Sequence, residues 1–224
     1  MRVLITAGST QVPVDDVRVL TNVFKGRTGM MLATEFVNMG AEVTLLTSGH
    51  YEGWDEAYID IIPYRTFDDL LINMRMLLDP RYKEHKREPY DVVIHSAAVS
   101  DYRINNVELH NGPKKQVARK HGKISSKQEW IKLVLVPTVK IVDKIRKPWN
   151  FRGKLVKFKL EVGKPDKELI KIAHKSMLHS KADVMVANCL EWAHLGAYVI
   201  TPDNPEGDWV YKYDLSLELM RRVQ

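Results

Sequence analysis

Three short segments of this chain carry residue types suited to handling phosphate. Ile5-Thr6-Ala7-Gly8-Ser9-Thr10 ends an apolar run in a glycine and two hydroxyl residues, Gly26 and Gly29 follow, and Ser96-Ala97-Ala98 closes a second apolar run. Gly8, Ser9 and Thr10 could present backbone N–H and hydroxyl donors to a phosphate, while Gly26 and Gly29 would let a helix terminus approach an anion. An ordinary βα turn with glycines that only relieve steric strain would look the same. The usual dinucleotide fingerprint packs three glycines into six residues, so this opening is atypical. Ala97 and Ala98 are too small for side-chain chemistry and could act only through their backbone N–H groups, or simply allow close packing.

Further along lie single residues that could complete such a site. Asp101, just past a strand end, could accept from ribose hydroxyls or help hold Mg²⁺, or could form an Asx turn. Lys123 is a candidate cation, though a lysine in a basic stretch is ordinarily solvated. Arg18 and Asn22 stand four apart, on one face if that segment is helical. Phe158 and Asn188 could flank a base, or could serve packing and a turn. The eight histidines form no His-x-x-x-His spacing and no close pair with a cysteine, so no protein metal site is expected.

The elements that must position these residues follow from periodicity. Val3-Leu4-Ile5 reads as a buried parallel strand. Residues 28–39 carry apolar positions at helical spacing and end at Gly40, a C-cap glycine. Strands are predicted over 42–47, 58–63, 91–95, 130–136, 154–160 and 184–187, and helices over 67–78, 138–146, 166–179 and 215–223. A terminal hairpin is predicted from 197–201 and 209–212. The βαβαβ order implies an α/β fold with a doubly wound, mostly parallel sheet, modified Rossmann-like, in a single domain over residues 1–224. From Asn105 to Lys123 periodicity fades, which suggests a partly irregular substrate or flap loop around 104–128.

Composition narrows the function. A single cysteine, Cys189, excludes an intrachain disulfide framework, and with no apolar run of eighteen residues a cytoplasmic protein without a membrane partner is expected. Charge is segregated: residues 114–175 hold 19 Lys and Arg against 5 Asp and Glu, while the remainder of the chain is net negative by 8. Such a block focuses polyanions, or is a solvated face. Its aromatics are sparse, only Trp130, Trp149, Phe151 and Phe158, which argues against nucleic acid as a partner. A short-chain reductase would need Tyr-x-x-x-Lys, but Tyr102 is followed four residues on by Asn106.

The ordered set Ile5 to Thr10, Pro13, Asp16-Val17-Arg18, Thr21-Asn22, Gly26, Gly29, Ser96 to Tyr102, Lys123-Ile124-Ser125-Ser126, Phe158 to Glu161 and Ala187-Asn188 resembles phosphopantothenate-cysteine ligase. Length and the Lys-Ile-Ser-Ser segment look most like the stand-alone bacterial form. The resemblance implies a two-step ligation in coenzyme A biosynthesis: CTP or ATP, with Mg²⁺, activates the carboxylate of 4'-phosphopantothenate as an acyl nucleotidylate, and the amine of cysteine then displaces the nucleotide. It implies that Arg18, Asn22 and Lys123 act on the reacting groups, Asn22 orienting the acyl group and Lys123 meeting phosphate. It places Gly8, Ser9, Thr10, Gly26, Ala97, Ala98, Asp101, Phe158 and Asn188 around the nucleotide. A homodimer is implied, with the Lys123 loop near the subunit boundary.

Three positions depart from that pattern. Where the family commonly reads Asn-His-Ser-Ser-Gly, this chain has Asn22-Val23-Phe24-Lys25-Gly26, so a hydroxyl expected at the triphosphate gives way to Phe24, which could obstruct the site. Lys157 replaces a glycine and Cys189 an aspartate. A paralogue that activates another carboxylate is the alternative reading.

Overall fold

The computed structural model describes residues 1–49, 58–82, 88–111, 114–117 and 122–224. In chain order the elements are β1 (Arg2–Ala7), β2 (Gln11–Pro13), β3 (Val19–Thr21), α1 (Arg27–Asn38), β4 (Glu42–Thr47), β5 (Ile59–Pro63) and α2 (Phe67–Leu78). They continue with β6 (Val92–His95), β7 (Tyr102–Asn111), β8 (Lys114–Val117), β9 (Trp130–Pro137), α3 (Val142–Arg146) and β10 (Lys154–Glu161). The chain closes with α4 (Asp166–Ser180), β11 (Val184–Cys189), β12 (Gly196–Thr201), β13 (Asn204–Tyr211) and α5 (Leu215–Val223).

The main sheet has the order β13-β12-β11-β10-β6-β1-β4-β5. Pairings from β5 through β11 are parallel, and β12 and β13 add an antiparallel edge. β1 is apolar throughout because both its faces are covered. Val3 and Ile5 pack with Phe36 of α1 and Leu219 of α5 on one side. Leu4, pointing the other way, packs with Met74 of α2, Ile145 of α3 and Met177 of α4. α2 opens with a capping box, Thr66 and Asp69 satisfying each other's backbone N–H groups, which fixes where the helix starts.

After β1 the strand order runs outward through β4 and β5, and after β6 it runs the opposite way through β10 and β11. The chain therefore changes direction between β1 and β6, and the crevice outside the carboxyl ends of these two strands is where such sheets bind ligands.

The structure departs from the sequence reading in three places. The segment read as irregular contains β7 and β8, which with β9 form a separate three-stranded antiparallel sheet rather than part of the main one. Val107 is the one buried hydrophobic among the described side chains of β7, whose polar residues interrupt the apolar alternation that would reveal a strand. The helix expected from Thr138 begins only at Val142, because Thr138 is tied back to the 100–101 turn: its N–H donates to Asp101 O at 2.8 Å and its hydroxyl to Ser100 O at 2.8 Å. Finally, residues 11–21 form the hairpin β2-β3, so Arg18 and Asn22 do not share a helical face.

Candidate functional site

At the switch point lies a cavity of about 710 Å³. It gathers Gly8, Asn22, Gly26, Ala97, Ala98, Phe158 and Asn188 of the residues singled out from sequence. Phe24, the residue that the sequence suggested as an obstruction, forms part of its wall. A smaller cavity of about 350 Å³ adjoins it, sharing Ala97, Val99, Phe158 and Lys159, and is lined further by Asp101, Lys140, Lys157 and His179.

The floor is a lattice of hydrogen bonds between the ends of β1 and β6. Ser96 donates to Thr6 O at 2.6 Å, Ala97 N–H to Thr6 Oγ1 at 3.1 Å and Ala98 N–H to Gly8 O at 2.8 Å. The backbone donors expected of Ala97 and Ala98 are thus already committed, and these residues serve by being small. Ser9 and Thr10 are engaged in the same way. Ser9 N–H donates to Ser48 Oγ at 2.8 Å and its hydroxyl to Phe24 O at 2.5 Å. Thr10 is fully buried, its N–H on Ala98 O at 3.3 Å and its Oγ1 accepting from Ser100 N–H. Both build the loop, and neither lines the larger cavity. Asn22 is anchored from the opposite rim, Nδ2 donating to Ala98 O at 3.2 Å, which fixes its amide over the cavity.

The leading residues of α1, Arg27, Thr28 and Gly29, line the cavity, and no side chain caps this helix N-terminus. Unpaired first-turn N–H groups favour an anion there. Lys25, Arg27, Lys159 and Lys212 line the cavity, and among the described residues its wall contains no aspartate or glutamate.

Besides Ser9 and Thr10, three predicted residues lie outside it. Asp101 faces the smaller cavity in an ion pair with Lys140. Arg18 and Lys123 sit beyond the rim, linked through Asp15, whose side chain is only 2% exposed. Asp15 accepts from the Arg18 guanidinium and from Ile124 N–H at 3.0 Å, and Arg18 donates to Ile124 O at 2.8 Å. The guanidinium holds the Asp15 carboxyl well below the usual carboxylate range, against the opposing cost of burial. Asp16 takes Gly122 N–H at 2.7 Å, so consecutive aspartates bracket Lys123. Sequence reasoning missed Asp15. An Asp three residues before an Arg was the available signal, but its partner Ile124 is 109 residues away.

The departures at Lys157 and Cys189 turn inward. Burial pushes the Lys157 ammonium down in pKa, and it donates to Ser176 O, Ser176 Oγ and Ser180 Oγ of α4 at 3.2, 2.9 and 3.3 Å. Cys189 is buried, Sγ donating to Lys164 O at 3.4 Å. His95, at the end of β6, hydrogen-bonds Thr6 Oγ1 at 2.9 Å, and burial, assisted by the Lys157 charge, pushes its pKa down to about 4.

His95 yields a pH prediction. The folded protein keeps this imidazole neutral while the unfolded chain takes up a proton near pH 6.5, so folding stability is unaffected above that pH and declines as pH falls from 6.5 toward 4. The loss is on the order of 3 kcal/mol by pH 4. Urea midpoints measured at pH 7 and pH 4.5 should differ less in His95→Asn than in the wild type; equal differences would show that other groups carry the acid sensitivity.

Comparison with known proteins decides the family. The family model described as the DNA/pantothenate metabolism flavoprotein C-terminal domain matches residues 1–198. The chain belongs to this family. The coenzyme A biosynthesis bifunctional protein CoaBC of Thermococcus kodakarensis is 36% identical over 193 residues, covering 85% of this chain and 41% of that protein. CoaBC of Methanocaldococcus jannaschii is 27% identical, covering 100% of this chain and 50% of that protein. The chain thus spans half or less of the length of these curated relatives. Among solved structures, the DNA/pantothenate metabolism flavoprotein from Streptococcus pneumoniae superposes with a TM-score of 0.80 at 27% identity, covering 100% of this chain and 98% of that one.

Family membership agrees with the α/β, mostly parallel architecture. Among the described residues no three His, Cys, Asp or Glu side chains group to hold a metal ion, and no helix is long and apolar enough to cross a membrane.

Proposed function

We propose that this protein is a phosphopantothenate-cysteine ligase, joining 4'-phosphopantothenate to cysteine through an acyl nucleotidylate. The observation that carries the reading is the larger cavity's wall at a strand switch point, which among the described residues holds four cations and no carboxylate. The first step must bring a carboxylate against an α-phosphate, and two anions approach only where fixed positive charge and oriented donors offset their repulsion. Family membership and the CoaBC relatives support the same chemistry.

In this reading the nucleotide, CTP or ATP, lies across the boundary of the two cavities, near Asp101, Phe158 and Asn188. Mg²⁺ arrives with it as part of the substrate. Pyrophosphate leaves as the acyl–phosphate bond forms, and the cysteine amine then attacks the acyl carbon and expels the nucleoside monophosphate. Asn22 orients the acyl carbonyl. Arg18 and Asp15 hold the loop that carries Lys123, and because Lys123 lies beyond the rim, a homodimer in the cytoplasm that brings this loop to a neighbouring site completes the arrangement.

The test is pyrophosphate release with Mg²⁺, cysteine and 4'-phosphopantothenate, run separately with CTP and ATP. Release that requires phosphopantothenate and one nucleotide supports the ligase and names its donor. Silence with both, from folded protein, rejects it in favour of a paralogue whose specificity has moved. Within the ligase reading, Asn22→Ala is expected to lower amide formation about 100-fold while leaving nucleotide KM within about twofold. A change confined to nucleotide KM would remove Asn22 from the acyl group.

A further inference from the structure

The cations on the cavity wall are not equivalent. Lys159 is answered by Glu161 at 2.9 Å. Lys212, just past β13, is half-buried, and its ammonium donates to Thr28 Oγ1 at 2.6 Å. Among the described residues no carboxylate pairs with it, and burial alone pushes its pKa down. An ammonium has three donor hydrogens. Drawing a charge partly out of water without a counter-ion costs stability, and such an arrangement beside an open cavity is characteristic of a site whose counter-ion is the ligand.

The position of Lys212 is imposed by the fold and not by local flexibility. Its N–H donates to Leu195 O at 2.8 Å, fastening the end of the antiparallel hairpin. The contact with Thr28 joins residues 184 apart, from the last third of the chain to the first turn of α1. Thr28 and Lys212 line the same cavity, beside Arg27 and the uncapped amides of that turn. A dianionic group seated there would meet an ammonium, a hydroxyl and backbone N–H donors together, the combination that charge-assisted recognition of phosphate uses.

We propose that Lys212 is a phosphate-binding residue of this cavity, the counter-ion for a phosphate group of the substrates seated against the first turn of α1. The phosphate comes from the phosphopantothenate end or from the nucleotide. Assignment to one of these rests on the ligase reading; the phosphate site itself does not.

The experiment compares the full chain with Lys212→Met, Lys212→Arg and Thr28→Val. Inorganic pyrophosphate is first titrated against thermal unfolding, a readout independent of catalysis. The expected result is a concentration-dependent rise in Tm for the wild type, absent in Lys212→Met and mostly restored in Lys212→Arg. Calorimetric titration with phosphopantothenate and with CTP or ATP follows. A loss of about 10- to 100-fold in affinity for one of them in Lys212→Met supports the proposal and names the source of the phosphate. Thr28→Val separates binding from bracing. It removes the hydroxyl that Lys212 grips and leaves the ammonium, so it should cost less than Lys212→Met. Equal losses from the two variants, or a pyrophosphate response that Lys212→Met does not change, would overturn the proposal. A Lys212-dependent pyrophosphate response without ligase turnover would keep the phosphate site and reject the ligase.

Discussion

Gly26→Ala is expected to remove both stability and ligand binding. Gly26 is the N-cap of α1 and sits at φ +80°, in the left-handed region where a side chain is strained. A Cβ built there would stand 2.3 Å from Gly8 N and 2.7 Å from Gly8 Cα, backbone atoms of the turn that ends β1. Neither side can yield cheaply, because Gly8 is itself at φ +87° and its own Cβ position is occupied by Ser48 Oγ at 2.2 Å. Strain and collision together should cost about 2–4 kcal/mol of folding stability. Pushing α1 away from β1 by even an ångström would move the uncapped turn and Asn22 relative to Ala98, and misplacement of that size costs about 100-fold in turnover. Gly40→Ala is the control. Gly40 has φ +84° but nothing within 4 Å of its added Cβ, so that variant carries the strain without the collision. Urea midpoints and pyrophosphate release should show Gly40→Ala losing about 1 kcal/mol with turnover intact. Equal behaviour of the two variants would mean that the close approach of the two glycine turns contributes nothing.

How much of this was legible depended on how far apart the partners lie. β4, α2 and α5 were read to their end residues, because β4 is a short run buried almost throughout inside the main sheet and the two helices each carry an apolar stripe at helical spacing. The crevice was legible too: Gly8 and Ser96-Ala97-Ala98 end two buried strands, and the fold brings them together at the switch point. What a residue does within that crevice was harder to read. Ser9 and Thr10 look like ligand donors in the sequence, but Ser48 and Phe24 take the donors of Ser9, and Ala98 and Ser100 engage Thr10. Competition for a hydrogen bond is a tertiary property, and no local pattern announces it. The three-stranded sheet was missed for a different reason. β7 reads Tyr-Arg-Ile-Asn-Asn-Val-Glu-Leu-His-Asn, and its strand character comes from β9, to which it is joined through cross-strand contacts such as Lys132 with Glu108 and the stacked rings of His110 and Trp130 at 4.6 Å.

Lys123→Ala is expected to abolish nucleotidyl transfer while the fold stays intact. The side chain is exposed and belongs to neither hydrophobic core, so stability should change by less than about 0.5 kcal/mol. A cation that meets phosphate as charge moves during transfer supplies about 100- to 1000-fold, and pyrophosphate release should fall by that factor. The more informative partner is Asp15→Ala. In the ligase reading Asp15 is a positioning residue: it does not line the larger cavity, yet it grips Ile124 N–H on one side of Lys123 and the Arg18 guanidinium that in turn holds Ile124 O. Removing the carboxylate frees the Lys123 loop without deleting its charge. The expected signature is a lower kcat with nucleotide KM little changed, together with faster amide exchange at Ile124. The double variant should be no slower than Lys123→Ala alone, since a loop without its lysine gains nothing from being held. Additive losses would assign Asp15 a role separate from Lys123, and normal turnover in folded Lys123→Ala would take the lysine out of the reaction and leave the aspartate bracket as structure alone.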